Sequence, residues 1–186
     1  MSLDDDLDIT RSSKQTKDWR LSQEWYGTGK SNECEKYQIC KVKSITCNDI
    51  LKTTHRINLE TNMIVDQNKP LTKDDGFEYT EDFDALQVCK DLRYYYNLKF
   101  VCGSGGAQTR TLREVYHYIT AQLDYLLTCS DNNERFVNIL DGDCCYRAMS
   151  KYKYLLSKPK YTTVRKRVFV GDMMQFYFIW KSSGLK

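Results

Sequence analysis

The chain has 186 residues, a net charge of +3 and an apolar share of 41%, enough for one domain with a real core, or one domain plus an arm. It carries no apolar run of bilayer length and its acidic start has no apolar signal stretch, so no membrane partner is expected. Eight cysteines without such a signal imply reduced thiols and a cytoplasmic protein, and their spacing with His55 and His117 does not suit zinc.

In chain order, residues 1–17 are polar, with Asp4, Asp5, Asp6 and Asp8 clustered, and read as a flexible arm. Residues 18–26 carry Trp19, Leu21, Trp25 and Tyr26 and read as a short helix, broken by Gly27 and Gly29. Residues 32–52 place Tyr37, Ile39, Val42, Ile45, Ile50 and Leu51 at amphipathic spacing, one helix or two joined near Cys47. Residues 55–66 switch to period two and read as a half-buried strand. Residues 67–76 have turn composition. Phe77 to Phe83 reads as a strand returning antiparallel.

Leu92 to Cys102 reads as the third strand. Its side chains alternate between faces, with Tyr94, Tyr96, Leu98, Phe100 and Cys102 on one and Tyr95, Asn97, Lys99 and Val101 on the other. A glycine-rich turn at 103–106 leads into the clearest helix in the chain. Leu112, Val115, Tyr116, Ile119, Leu123, Leu126 and Leu127 mark its apolar stripe. Thr111 with Glu114 reads as a capping box, with Thr109 or Ser104 as alternative starts. Residues 136–140 form an apolar run typical of a strand covered on both faces. A helix over 146–156, a stop at Pro159, a strand over 164–170 and a helix over 173–180 complete the chain. The alternation after residue 92 implies crossover connections and a mixed sheet with helices on both sides.

Charge is unevenly spread. Residues 144–170 hold Arg147, Lys151, Lys153, Lys158, Lys160, Arg165, Lys166 and Arg167 without one acidic residue, interleaved with Tyr146, Tyr152, Tyr154 and Tyr161. Cations replacing counterions and rings lying on sugars or bases suit a nucleic-acid backbone; a solvated basic face is the plain alternative. The candidate chemistry lies upstream. Asp82 and Asp84 flank Phe83, so in an extended segment both carboxylates point the same way. A lysine in mid-strand, Lys99, suits a site better than a core. Mg²⁺ takes one or two carboxylates plus water and phosphate oxygens, and a bound metal acidifies and orients water. A neighbouring lysine holds that water or balances charge on phosphorus. The plain alternative has the two aspartates capping a turn and Lys99 at an edge.

Carboxylate, strand, then acidic-x-Lys is the layout of restriction-endonuclease-like nucleases. Here Asn97 fills the acidic slot of Asn97-Leu98-Lys99, with Glu114 on the next helix as the replacement acid. The stretch from Gly105 to Ile119, together with 80–84, 97–100 and 136–143, resembles type II restriction endonucleases of the PD-(D/E)xK group over roughly the second half of the chain. The resemblance implies an α/β (α+β) fold with a mixed β-sheet flanked by helices over residues 18–186. It also implies Mg²⁺-dependent, sequence-specific cleavage of double-stranded DNA, and a homodimer. Asp84 becomes the first metal ligand and Lys99 the catalytic lysine; Asp82, Asn97 and Glu114 join them. The glycine turn lacks the ending of a nucleoside-triphosphate loop but suits a DNA phosphate, with Gln108, Thr109, Arg110 and Arg113 beside it. Lys151, Lys153, Arg165, Lys166 and Arg167 then extend the DNA contact. A protein that keeps the fold and binds nucleic acid without cutting it is the other reading.

Overall fold

The computed structural model describes residues 20–24, 32–66, 80–103 and 105–182. The expected arm at 1–17, Trp19, Trp25 and the turn at 67–76 lie outside them. The elements are α1 (Glu33–Thr46), β1 (His55–Asn58), β2 (Ile64–Asp66), β3 (Thr80–Asp82), β4 (Ala85–Cys89), β5 (Leu92–Phe100), α2 (Gly106–Thr128), β6 (Glu134–Asp141), α3 (Asp143–Ser157), β7 (Val168–Gly171) and α4 (Met173–Lys181). Two single-turn 3₁₀ helices, Pro159–Tyr161 and Arg165–Arg167, link α3 to β7. The fold is α+β, built on a mixed four-stranded sheet ordered β4-β5-β6-β7 and an antiparallel sheet ordered β2-β1-β3.

Alternation along β5 sorts the two layers that cover the main sheet. Tyr94, Tyr96 and Leu98 join Val42 and Ile45 of α1 and Met173, Phe176 and Trp180 of α4 in one core. Tyr95, Phe136 and Leu140 face the other way and pack with Val115, Ile119 and Leu123 of α2 and Met149, Tyr152 and Leu155 of α3. β4 pairs antiparallel with β5, while β5, β6 and β7 run parallel. Each parallel step needs a crossover, which α2 and α3 supply on one side of the sheet. Phe83 joins the two sheets and stacks near Tyr95, Tyr118 and Phe136 at ring separations of 4.9, 5.3 and 5.6 Å.

Several local expectations change. The stretch 55–66 is two strands, because Asn58 Oδ1 accepts from the Glu60 and Thr61 amides and folds the chain back at Asn62, where φ is 55°. The returning strand β3 pairs with β1, Arg56 opposite Asp82. β4, which periodicity does not reveal, is a short strand carrying a buried Gln87. α2 starts at Gly106 without a side-chain cap, and Thr111 Oγ1 donates back to the Ala107 carbonyl inside the helix, so Thr111 and Glu114 form no capping box. The helical expectation for 32–52 holds only for its first part: α1 stops at a left-handed Cys47, and Ile50 and Leu51 are non-helical, Leu51 bridging Leu86 of β4. Asp172 and Gln175 make the capping box that starts α4.

Candidate active site

The top of β5 is fixed from both sides. On the α1 side, Gln38 Nε2 donates to the Lys99 carbonyl (3.2 Å) and to Asp141 Oδ2 (2.7 Å), and Asp141 Oδ1 accepts from the Met173 amide (2.9 Å). At the strand end, Gly142 has φ of 95°, and a Cβ there would stand 2.3 Å from the Val101 carbonyl oxygen. Only glycine allows β6 to turn into α3 so close to β5.

Asp84 lies just before β4, one residue outside the register that pairs Ala85 with Tyr96. Its Oδ2 accepts from the Leu98 amide at 2.6 Å and stands 3.7 Å from Lys99 Nζ. Two antiparallel strands thus bring the predicted aspartate and lysine together on the α2 side of the sheet. The Lys99 side chain is 34% exposed and that of Asp84 15%, so the pair is reachable from solvent yet poorly hydrated. A cleft of about 250 Å³ opens beside it, lined by Glu81, Lys99, Thr111, Glu114, Val115 and Tyr118. The Tyr118 hydroxyl donates to the Asp82 carbonyl (3.0 Å), tying α2 to the strand that carries Glu81.

Electrostatics in the cleft are unbalanced. Burial raises the Asp84 carboxyl above its ordinary range against the opposing pull of Lys99 and the Leu98 amide, and Asp82 adds to the rise. Glu81 is raised by burial too; Lys99 offsets this, while Glu114, Asp82 and Asp84 reinforce it. Glu35 on α1 is raised by burial and then by Asp84. One lysine is therefore shared among several carboxylates, whose burial and mutual repulsion raise them. Among the described residues no group of three or more His, Cys, Asp or Glu side chains forms a ready-made metal cage.

Two sequence expectations fail here. Asp82 and Asp84 do not point the same way, because the chain leaves one sheet for the other between them, and Asp82 pairs with Arg56 across β1 and β3. Asn97 shares the face of Lys99 but is fully buried. Its Nδ2 donates to Asn138 Oδ1 (2.9 Å), and Asn138 exchanges bonds with Gln122 of α2 at 2.8 and 3.1 Å. Asn97 Oδ1 has no partner among the described residues. Sequence reasoning misses Glu35, which lies on a distant helix, and passes over Glu81 for its strand neighbour Asp82, although Glu81 sits in the same stretch 80–84 three residues before Asp84.

The expected DNA contacts divide. Thr109, Arg110 and Arg113 are exposed on the first turns of α2, and Gln108 is half-buried there. Lys151 and Lys153 are exposed on α3, beside Tyr146 and Tyr154, which are 50% and 67% exposed. Other cations of the basic stretch are engaged. Arg147 bonds Asp143 and the Gly103 carbonyl. Lys158 lies over the Tyr116 and Tyr154 rings, and Lys160 pairs with Asp124. Arg167 donates to the Glu134 and Asp131 carbonyls and clamps the turn before β6. Arg165 and Lys166 are exposed but precede β7 at its start. Val168 pairs with Phe136, and Phe136 with Tyr95, four residues short of Lys99 and so about 13 Å lower along the strands.

No family model matches the chain. No curated protein matches it either, and neither does any solved structure.

Proposed function

We propose that this protein is a Mg²⁺-dependent endonuclease that cleaves double-stranded DNA at specific sequences, in the manner of a type II restriction endonuclease. The observation that carries the reading is the approach of Lys99 Nζ to Asp84 Oδ2, 3.7 Å apart, at the mouth of a cleft walled by Glu81 and Glu114. Asp84 ahead of the β4–β5 pair, Lys99 on β5 and the crossover helix α2 after it follow the order of carboxylate, strand and lysine that the resemblance implies.

Hard oxygen donors, raised by burial and mutual repulsion, suit Mg²⁺, which needs only one or two carboxylates and keeps the rest of its shell as water. Asp84 and Glu81 would hold it, with Glu114 across the cleft; Glu81 supplies the acid that Asn97 lacks. Bound there, the metal would acidify a water and neutralise charge on the scissile phosphate. Lys99 directs its ammonium into the same cleft, where it orients the attacking water and balances the growing negative charge. Asp84, fixed by the Leu98 amide, holds Lys99 in that position. Arg110 and Arg113 grip backbone phosphates beside the cleft, and Lys151 and Lys153 continue the contact on α3.

The test is supercoiled plasmid incubated with Mg²⁺ or Mn²⁺, followed by sequencing of the fragment ends. Defined ends that disappear in Lys99→Ala and Asp84→Ala support the reading. Intact plasmid with both metals would sink it. One observation favours the second reading, a DNA-binding protein that does not cut: Asn97 is buried in an amide network and offers no charge to a metal. Salt-sensitive DNA binding without cleavage is its signature.

A further inference from the structure

At the opposite end of β5, on the α1 and α4 side, lies a second pocket of about 410 Å³, within the range of small-ligand sites. Its apolar lining comes from Ile45, Leu92, Tyr94 and Trp180, with the Tyr94 and Trp180 rings edge to face at 5.4 Å. The polar residues of its wall are turned to internal bonds. Thr46 Oγ1 accepts from Gln87 Nε2 (2.8 Å), the Cys47 thiol donates to the Ser44 carbonyl (3.6 Å), and Asn48 Nδ2 donates to the Thr46 carbonyl (2.9 Å). What remains for a ligand is an aromatic and aliphatic surface and two exposed lysines, Lys90 and Lys181, the Lys181 ammonium lying also over the Tyr177 ring at 5.8 Å. Among the described residues no carboxylate lines the pocket and neither lysine forms a salt bridge. Two further clefts, by contrast, are walled by Glu60 and Asp124 and by Glu81 and Glu114.

We infer that this pocket binds a small aromatic monoanion, its ring body against Leu92, Tyr94 and Trp180 and its carboxylate between Lys90 and Lys181. The charge pattern selects the class. A neutral ligand leaves both ammonium groups unused, and a cation is repelled by both. A highly polar ligand strips its own hydration without gaining bonds from the wall. The carboxyl ends of α1 and α4 also reach this pocket, and their partial negative charge opposes an anion. That effect is confined to the last turn, whereas two full ammonium charges stand at the rim.

The probe is 2-naphthoate, titrated calorimetrically into the intact protein, with neutral 2-naphthalenemethanol as the matched control. Saturable one-site binding of the carboxylate is expected, with the alcohol several-fold weaker. Lys90→Glu with Lys181→Glu, both at exposed positions that leave the core untouched, should weaken 2-naphthoate by roughly five- to thirtyfold, the scale of two solvent-exposed ion pairs. Cys47 lines the pocket, while Cys40 is exposed on α1 outside it. Saturating 2-naphthoate should therefore slow iodoacetamide alkylation of Cys47 and leave Cys40 unchanged, as read by peptide mass spectrometry. Absence of saturation, equal affinity for the alcohol, an unaffected double variant, or equal protection of both cysteines would each overturn the assignment.

Discussion

The facing of Lys99 is legible in the sequence because period two fixes which face a strand residue takes, whereas the same rule misreads Asp82 and Asp84, between which the chain passes from one sheet to the other. The same rule puts Asn97 beside Lys99 but says nothing of depth, and depth decides its role. Asn97 donates to Asn138 in a fully buried amide group, so restoring the acid with Asn97→Asp places a carboxylate against the acceptor Asn138 Oδ1. We expect a loss of roughly 1–3 kcal/mol at neutral pH and no gain in cleavage. Acidification protonates the new carboxyl, which then donates as the amide did, so urea melts at pH 7.5 and pH 5 should converge toward wild type at the lower pH. Glu81 makes the complementary case. Its carboxyl is raised from the ordinary value of 4.5, so ionising it costs stability in the folded state. That cost is absent below about pH 4.5, where both states are protonated, and complete once pH exceeds the raised value. Glu81→Gln should therefore raise the melting temperature at pH 7.5, and the gain should vanish toward pH 4. Mg²⁺ should stabilise wild type at pH 7.5 and the variant less. A variant no more stable at pH 7.5 would mean that Glu81 is relieved by solvent.

At the scale of elements, strong periodicity makes α2 legible, and so does the apolar run of β6, which is buried on both faces. Periodicity fails where a local side-chain bond or a short polar strand intervenes, as at Asn58 and in β4. Charge counting fails for a different reason: a run of cations does not say which already have partners. Arg167 clamps two carbonyls, so Arg167→Ala should cost about 1–3 kcal/mol of stability and leave DNA affinity of the folded protein nearly unchanged. Lys151 and Lys153 on α3 behave oppositely. Lys151→Glu with Lys153→Glu should leave the melting temperature within a degree or two while weakening DNA binding. The slope of log affinity against log salt should fall by about 0.9 for each phosphate that the variant no longer neutralises. An unchanged salt slope would reduce the outer face of α3 to a solvated surface and leave Arg110 and Arg113 as the main phosphate contacts.

For the whole molecule the question is how one cleft would cut two strands. The candidate chemistry converges on a single place, the top of β5; the Lys160–Asp124 pair stands instead beside a separate cleft lined by Leu59, Glu60 and His117, with Lys160 exposed. Two strands of opposite polarity cut in one encounter then require two copies related by a two-fold axis, and protein symmetry mirrors that of the recognition site. By sequence, Trp19, Trp25 and the apolar residues at 173–180 suit such an interface, the two tryptophans lying outside the described residues. The fold uses most of the run at 173–180 itself, since Met173, Met174, Phe176 and Trp180 are buried beneath α1 and the sheet. Phe178 and Ile179 stay exposed, a small patch for a stable free dimer. The dimer is thus expected to form on DNA, which adds its own contact area and neutralises repulsion between the basic faces. Sedimentation of the protein alone should give one chain per particle, or a weak concentration-dependent equilibrium. With a duplex of the preferred sequence and Ca²⁺ in place of Mg²⁺, it should give two chains per duplex. Phe178→Asp should lower the proportion of that complex and convert double-strand cuts to nicks, without altering the melting temperature by more than a few degrees. A complex of one chain per duplex that nicks a single strand in wild type would replace the dimer with a monomeric nickase.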